Sequence, residues 1–347
     1  MSGASGASGG EYGGSVGSNP GGASIDAATL YGRRVTVEAP ATIANLGAGY
    51  DTLGLAIDLA LRVTIEARAL ADGTPAVELT IDGEGNGELV ADRSNRLIVA
   101  LETGLAELGV DGIGQLAWRI DMTNPIPLER GLGSSAAATV AGLVAASALA
   151  GGQGLDQPTI LRLATGIEGH PDNVAPALFG GLTASIALED RVESVRLDPP
   201  NDVALVAWIP DRRLKTSEMR RVLPDAVPRA DALANLARVA VGVAGLASGR
   251  SDVIALLTQD RLHEPYRATA YPELPHLVDA ARVAGGLGAC LAGSGSTVVA
   301  FVPSKDHATF DAVAHALTAT AAYLNLPGRI ERLSPRSRGA FATHHAD

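Results

Sequence analysis

A glycine-containing loop that runs directly into a long apolar helix constrains this chain more than any other segment. Residues 127–137 read PLERGLGSSAA, and residues 134–150 form a run of good helix formers. A helix is therefore predicted over residues 134–150, with Gly131 and Gly133 just before its first turn. Because free backbone N–H groups and the positive end of the helix dipole meet there, the segment predicts an anion site.

Several features of this loop suit a nucleotide phosphate. Glycines let the main chain approach phosphate oxygens closely, and a serine hydroxyl is a ligand that magnesium accepts. The loop is not a Walker A loop, because no Gly-Lys-Ser/Thr follows, and the chain has only two lysines, Lys215 and Lys305. Taken alone, an ordinary helix cap that allows close packing remains an equally open interpretation.

The composition excludes several classes of function. A formal charge of -11 and a pI near 5.1 leave no basic face for nucleic acid or an anionic membrane. The single cysteine, Cys290, excludes an intrachain disulfide and a multi-cysteine metal site, which predicts a reducing, cytoplasmic location. The longest apolar stretch, residues 136–150, is too short and too rich in Ala, Ser and Thr to span a bilayer, which favours a soluble protein.

Hydrophobic periodicity predicts an α+β fold (mixed α/β) made of two domains. Residues 1–32 are mostly Gly, Ser, Ala and Asn and are expected to be a disordered tail, followed by domains over residues 33–195 and 196–347. The predicted strands cover residues 34–39, 61–68, 77–81, 115–121, 182–187, 203–209, 288–291, 297–302 and 329–333. The predicted helices cover residues 95–108, 134–150, 157–167, 274–285 and 306–323, with a mainly helical region over 217–256.

Three further loops concentrate polar groups. Residues 40–54, PATIANLGAGYDTLG, carry Asn45 and Asp51, which are either turn formers or groups that face a substrate. Residues 168–173, EGHPDN, supply one carboxylate for magnesium and one imidazole for a polar substrate group, although such loop residues are more often solvated. Residues 291–297, LAGSGST, lie between two predicted strands and fit a simple hairpin equally well.

These four segments, in this order, resemble the superfamily of galactokinase, homoserine kinase, mevalonate kinase and phosphomevalonate kinase, over roughly residues 34–335. Within it, the homoserine kinase family is indicated by Asn45 with Asp51, by EGHPDNVAPALFGG at residues 168–181, and by TSEMR at residues 216–220 followed by Leu223-Pro224. The third glycine segment departs from the family pattern, with Ala292 where Ser is usual and Ser296 where Pro is usual.

The resemblance implies a two-domain fold with the active site in the interdomain cleft, and transfer of phosphate from ATP to L-homoserine. It implies that Ser135 and Glu168 hold Mg²⁺ and that Asn173 lies where some relatives have a catalytic aspartate. It implies homoserine contacts from Asn45, Asp51, His170, Arg220 and Arg267. The nucleotide contacts it implies are Asn95, Pro127, Arg130, Gly131, Leu132, Gly133, Ser134, Ser135 and Ala136. A homodimer is expected by the same resemblance.

Two alternatives remain open at the level of sequence. One is a kinase of the same superfamily for another small alcohol, such as mevalonate. Against it, an amino-acid substrate requires both acidic and basic partners, which Asp51, Arg220 and Arg267 supply. The other is a non-enzymatic nucleotide-binding protein on the same scaffold. The presence of both implied magnesium ligands favours an enzyme.

Overall fold

The structure, a computed structural model, describes residues 24–152 and 154–344. Its strands are β1 (Ile25–Asp26), β2 (Arg34–Ala44), β3 (Leu53–Ala69), β4 (Val77–Gly83), β5 (Val110–Asp111), β6 (Leu116–Asn124), β7 (Leu182–Ala187), β8 (Val192–Leu197), β9 (Val203–Pro210), β10 (Gly288–Leu291), β11 (Val298–Pro303), β12 (Gly328–Leu333) and β13 (Phe341–His344). Its α-helices are α1 (Arg96–Glu107), α2 (Ser134–Ala150), α3 (Gln157–Glu168), α4 (Pro171–Phe179), α5 (Thr216–Arg221), α6 (Arg229–Ala247), α7 (Ile254–Leu257), α8 (Glu264–Arg267), α9 (Leu274–Val283) and α10 (His307–Tyr323).

The larger sheet follows the order β13-β2-β3-β6-β4, with β7 and β8 extending it from the start of β3. The strands alternate buried apolar residues with more exposed ones, as along the second half of β3 and along β6. Helix α2 packs on this sheet and is buried on nearly all sides, which its small side chains allow. The predicted helix over residues 134–150 is confirmed, and its N-terminus is fixed beside the sheet.

The smaller sheet, β10-β11-β9-β12, is antiparallel throughout. All eight residues of β9 are buried, because one face packs with α9 and α10 and the other packs into the core of the larger sheet. The two sheets with their helices confirm the predicted mixed α/β architecture. Residues 198–202 connect the two sheets, so the predicted division at residues 195 and 196 falls inside β8.

Several elements differ from the prediction. The chain is ordered before residue 33, because β1 pairs with β5 and Leu30 is fully buried, while residues 1–23 of the predicted tail lie outside the described residues. Strand β2 continues past Pro40. The pairing of β2 with β3 shifts register between Pro40 and Thr42, at the residue that has no N–H to donate to the sheet. The predicted loop over residues 168–173 is instead the end of α3 and the start of α4.

Leu30 anchors the segment before β2, and we predict that Leu30→Ala lowers the free energy of unfolding by about 2 to 4 kcal/mol. The leucine is fully buried in the main apolar core, so truncation leaves a cavity. Denaturant unfolding measures the change, with Tyr31→Ala as the control because Tyr31 is exposed. Equal, small effects of the two substitutions would contradict docking of this segment.

Candidate active site

The predicted site residues converge on one cleft between the two sheets. All of them except Asn95 line it, and they come from the turn after β2, the loop before α2, the α3–α4 junction, α5 and α8. The third glycine segment, between β10 and β11, closes the same cleft with Gly293 and Ser294. That segment is therefore both a hairpin turn and a wall of the cleft.

Two glycines of the loop before α2 lie where no side chain fits. Gly131 has φ +75°, and a Cβ there would lie 2.0 Å from the carbonyl oxygen of Ala292. Gly133 has φ +69°, and a Cβ there would lie 2.0 Å from Oγ1 of Thr42. The positive φ and the close approach both require glycine, so the phosphate-binding loop predicted from the sequence is pressed against its neighbours.

Ser135 and Glu168 meet at the start of α2. The Ser135 hydroxyl donates to Oε1 of Glu168 at 2.9 Å, and the buried Thr139 hydroxyl donates to the same oxygen at 2.6 Å. Glu168 is the last residue of α3, which aims its carboxylate at the N-terminus of α2. The Ser135 hydroxyl and the Glu168 carboxylate are oxygen ligands of the kind that Mg²⁺ prefers, so this pair of residues could hold a magnesium ion.

Asp51 and Arg220 form a bidentate ion pair across the cleft. Nη1 and Nη2 of Arg220 donate to the two carboxylate oxygens at 3.0 and 2.8 Å, and Nη1 also donates to the Tyr50 hydroxyl at 3.1 Å. The hydrogen bond to Asp51 raises the pKa of Arg220. The amide oxygen of Asn45 accepts the Asp51 N–H and stabilises the left-handed backbone of this turn. The carboxylate is thus held in place before any substrate arrives.

Arg267 is a buried cation whose guanidinium edge is incompletely paired. Arg267 is only 2% exposed, and burial lowers the pKa of its guanidinium. Nη1 donates to the Gly293 carbonyl at 2.7 Å and to Nδ1 of His263 at 3.1 Å. Nε is buried and has no hydrogen-bond partner among the described residues. An unpaired N–H on a buried cation is costly, so an anionic group is the natural partner for this edge.

His170 and Asn173 lie at the start of α4. Nδ1 of His170 is 2.5 Å from Oδ1 of the buried Asp172. Burial favours the neutral imidazole, but the hydrogen bond and charge of Asp172 outweigh it, so the pKa of His170 is raised. Oδ1 of Asn173 accepts the Thr42 hydroxyl at 2.8 Å, which fixes the orientation of its amide. The junction therefore offers a protonatable donor and an oriented amide.

Asn95 lies in a second pocket that opens beside the first. Ser134, Ser135 and Glu129 line both pockets, and the second extends toward Leu89 and Val90. The Asn95 side chain caps α1 by accepting the Leu97 N–H at 3.0 Å and donates to the Val90 carbonyl at 2.9 Å. It therefore lines this pocket and fixes the backbone around it, and the nucleotide contact implied by resemblance stays a prediction.

Sequence reasoning missed several residues of the site. Tyr50 stacks on His263, with ring centroids 5.0 Å apart, and the guanidinium of Arg267 lies 5.5 Å from its ring centroid. Its position beside Asp51 in a loop of glycines, in a chain with 3% aromatic residues, was an available signal. Thr42 was also missed, because its contact with Asn173 joins residues that are distant in sequence. Asp172 was missed although it lies within residues 168–173, two residues from its partner His170, because only the structure shows that the two side chains meet.

The two departures in the third glycine segment have structural consequences. Ala292 contributes its backbone, since its carbonyl accepts the Gly295 N–H at 2.8 Å and faces Gly131. Ser296 is fully buried, and its hydroxyl donates to the Arg212 carbonyl. The hydroxyl therefore ties this turn to the segment that leads into α5.

Comparison with known proteins agrees with this geometry. The model of the GHMP kinase N-terminal domain matches residues 95–181, and that of the GHMP kinase C-terminal domain matches residues 243–322. Homoserine kinase of Moorella thermoacetica is 39% identical over 304 residues, covering 88% of this chain and 98% of the relative. Homoserine kinase of Streptomyces avermitilis is 42% identical over 282 residues, covering 81% and 88%.

Solved structures give the same fold. Homoserine kinase from Cytophaga hutchinsonii superposes with a TM-score of 0.76 at 28% identity, covering 90% of this chain and 98% of that one. Mevalonate kinase of L. major, at 19% identity and a TM-score of 0.63, covers 87% and 96% and shares the fold. The fold and the two matching family models place this chain in the class of small-molecule kinases of the GHMP type, which use ATP. The extent and identity of the matches then narrow this, and the chain belongs to the homoserine kinase family.

The His170–Asp172 contact generates a prediction about pH. We expect the pKa of His170 to lie above its usual 6.5 and to fall in Asp172→Asn, which removes the charge that favours the imidazolium. Because the folded pKa is raised, the stabilisation is complete below pH 6.5 and is lost as pH rises through the folded value. NMR titration measures the shift, with His170→Gln used to assign the signal. An unchanged titration in Asp172→Asn would contradict the coupling.

Proposed function

We propose that the cleft transfers the γ-phosphate of ATP to the side-chain hydroxyl of L-homoserine and releases O-phospho-L-homoserine, a reaction of threonine biosynthesis, in the cytoplasm. The observation that carries this proposal is the incompletely paired guanidinium of Arg267 beside the fixed carboxylate of Asp51, both next to the phosphate loop. An α-amino acid presents one negative and one positive group, and these two side chains complement both. A simple alcohol would leave the Nε edge of Arg267 unpaired.

The nucleotide is proposed to lie across both pockets. Its phosphates would contact the backbone N–H groups of residues 131–135 at the positive end of α2, and its nucleoside would occupy the pocket beside Leu89 and Val90. Ser135 and Glu168 would hold Mg²⁺, which when bound neutralises charge on the transferring phosphoryl group. Thr139 keeps the Glu168 carboxylate oriented toward Ser135.

The acceptor is proposed to bind with its α-carboxylate on the free edge of Arg267 and its ammonium group near Asp51. Arg220 holds Asp51 in position through the bidentate pair and screens its charge, so the ammonium site is oriented without being strongly negative. His170 lines the same cleft and donates to a polar group of the acceptor when protonated. The acceptor hydroxyl then points toward the phosphate loop.

Catalysis is proposed to depend on position and electrostatics more than on a base. Asn173 stands where some relatives have an aspartate, and an amide does not accept the hydroxyl proton as a carboxylate does. Its oxygen is already occupied by Thr42. A loose phosphoryl-transfer transition state places little demand on a base and much on alignment and charge stabilisation.

We predict that Ser135→Ala lowers kcat on the order of a hundredfold, because one preorganised oxygen near the transferring phosphate is lost. Ser134→Ala should have a smaller effect and serves as the matched control. Initial rates over a range of magnesium concentrations measure both. Near-normal turnover of both variants at low magnesium would show that the loop only caps the helix.

We predict that Arg267→Lys and Arg220→Lys raise the KM for homoserine and leave the KM for ATP nearly unchanged, with a cost of about 2 to 4 kcal/mol for the buried charge-assisted pair at Arg267. The effect should be larger at Arg267, because its edge is free for the substrate, whereas Arg220 already pairs with Asp51. Lysine keeps the charge but loses the planar fork. Arg261→Lys is the control, since Arg261 pairs with Asp231 outside the cleft.

ADP release stimulated by each candidate alcohol measures the preference and tests the whole proposal. Wild type should favour homoserine over 3-aminopropan-1-ol, which lacks the carboxylate, and over mevalonate, which lacks the ammonium group. The lysine variants should discriminate less between homoserine and the amino alcohol. Stimulation by mevalonate alone would indicate another kinase of the family, and stimulation by no alcohol would indicate a binding protein.

A homodimer is proposed through the outer face of α6. Among the described residues this helix alone is long and apolar enough, by length and composition only, to cross a membrane, and just 17% of its apolar window is buried within the protein. Its exposed face has leucines in the first half, Leu233 and Leu236, and smaller side chains in the second half, Val241 and Ala244. An antiparallel pair about a two-fold axis would set the large half against the small half.

We expect wild type to sediment as a dimer and Leu236→Glu, at a position 67% exposed, to sediment as a monomer. A buried, unpaired carboxylate at the centre of an apolar contact is costly. Val283→Glu is the control, because Val283 is 90% exposed on α9, away from this face. A monomeric wild type, or a dimer that survives Leu236→Glu, would contradict the proposed contact.

A further inference from the structure

His263 is fully buried behind the cleft, and nothing in the reaction just described uses it. It lies immediately before α8, the short helix that carries Arg267 one turn further on. Its Nδ1 is 3.1 Å from Nη1 of Arg267, and its Nε2 is 2.8 Å from the Gly47 carbonyl in the turn after β2. One imidazole therefore bridges two segments of the cleft wall.

The hydrogen-bond chemistry fixes the tautomer of this ring. A guanidinium has only donors, so Nη1 of Arg267 must donate to Nδ1, and Nδ1 must carry a lone pair. The ring proton then lies on Nε2 and donates to the Gly47 carbonyl, which only accepts. A doubly protonated ring would set N–H against N–H at 3.1 Å from Arg267, so the geometry requires the neutral form.

The surroundings of the ring support the neutral form. Burial, which outweighs the attraction of Asp260, lowers the pKa of His263 to about 4. The Asp260 carboxylate is 3.7 Å from Nε2, farther than the Gly47 oxygen, and it accepts the backbone N–H groups of residues 262, 263 and 264. The Asp260 carboxylate also accepts a hydrogen bond from Nδ2 of the buried Asn235, and that nitrogen donates to the Ala48 carbonyl as well. These bonds fix the start of α8 relative to the turn after β2.

We propose that His263 is a positioning residue for Arg267. Its Nδ1 and the Gly293 carbonyl accept both hydrogen bonds of Nη1, so that the opposite edge of the guanidinium, Nε with Nη2, is left for the acceptor's carboxylate. The inference rests on the proposed amino-acid substrate. A guanidinium offers several donor pairs, and substrate orientation depends on which pair is free. With Nη1 held by an imidazole nitrogen and a carbonyl, one edge remains, and a carboxylate binds there in a single orientation.

Two substitutions separate the two hydrogen bonds of the ring. His263→Asn keeps an acceptor near the position of Nδ1 but loses the bond to Gly47, whereas His263→Gln keeps a donor near Nε2 but loses the acceptor for Arg267. We expect His263→Gln to raise the KM for homoserine about tenfold, with the KM for ATP within about twofold of wild type. His263→Asn should lie closer to wild type. His263→Gln should also discriminate less between homoserine and 3-aminopropan-1-ol.

A purely structural role gives a different pattern. Both variants would then lose thermal stability, and the KM values for homoserine and ATP would rise together or equally in the two variants, which would overturn the proposal. The ¹⁵N chemical shifts of His263 in wild type provide a second measurement that needs no variant to fold. A neutral ring protonated at Nε2 at pH 7 is expected, and a proton on Nδ1 or an imidazolium would overturn the proposal.

The two measurements also separate this proposal from the proposed substrate. If homoserine does not stimulate ADP release by wild type, the substrate assignment fails, and the preference of Arg267 for a substrate carboxylate fails with it, whatever the tautomer. If homoserine is phosphorylated and the tautomer or the order of the two variants is not as expected, the substrate assignment stands and only the role of His263 is rejected.

Discussion

The cleft depends on backbone surfaces that approach more closely than side chains would allow. Gly131 lies against the Ala292 carbonyl, and Gly133 lies against Thr42 at the end of β2, so the loop before α2 contacts segments of both sheets. The Thr297 N–H also donates to the Arg130 carbonyl at 3.2 Å, and the Gly293 N–H to the Ala44 carbonyl at 3.2 Å. The N-terminus of α2 is thereby fixed between the two sheets, at the cleft where the proposed phosphate and acceptor sites meet. A methyl group at either glycine would separate these surfaces.

The charged side chains of the cleft are of two kinds: those that are held by partners within the protein, and one that is incompletely paired. Asp51 and Arg220 neutralise each other, and Glu168 is held by two hydroxyls, so these charges are ordered before a ligand binds. Arg267 is different, because it is buried and its Nε has no partner within the described part of the chain. A charge buried without full compensation lowers stability and is retained where a ligand completes it. That contrast distinguishes Arg267, the proposed carboxylate site, from the surrounding ion pairs.

Sequence patterns predicted the elements whose signals are local. The run of residues 134–150 contained both its start signal and its length, and residues 182–187 and 288–291 showed clear apolar strands. Helix α4 was missed although Pro171 and Asp172 are good helix starters, because Pro176 lies within it and the polar cluster before it suggested a loop. Strand β8 alternates exposed charges and β13 is short, so neither has an apolar pattern of its own. Their pairing depends on partners distant in sequence.

Prediction of the candidate site also succeeded where the signal is local in sequence and failed where it depends on distant residues. Motif spacing within the four glycine and polar segments identified most of the site residues, whereas Thr42, Tyr50 and His263 matter through contacts between segments. His263 shows why resemblance alone does not replace geometry: the resemblance implied no role for it, yet the contacts of its two ring nitrogens require one protonation state of the ring and leave one edge of the arginine free. A substrate held by that edge and by Asp51 has two fixed points. In the proposed complex, rotation about the line between these two points is the main freedom left to the hydroxyl, and the turn holding Asn45 and the α3–α4 junction, which line the same cleft, would limit that rotation.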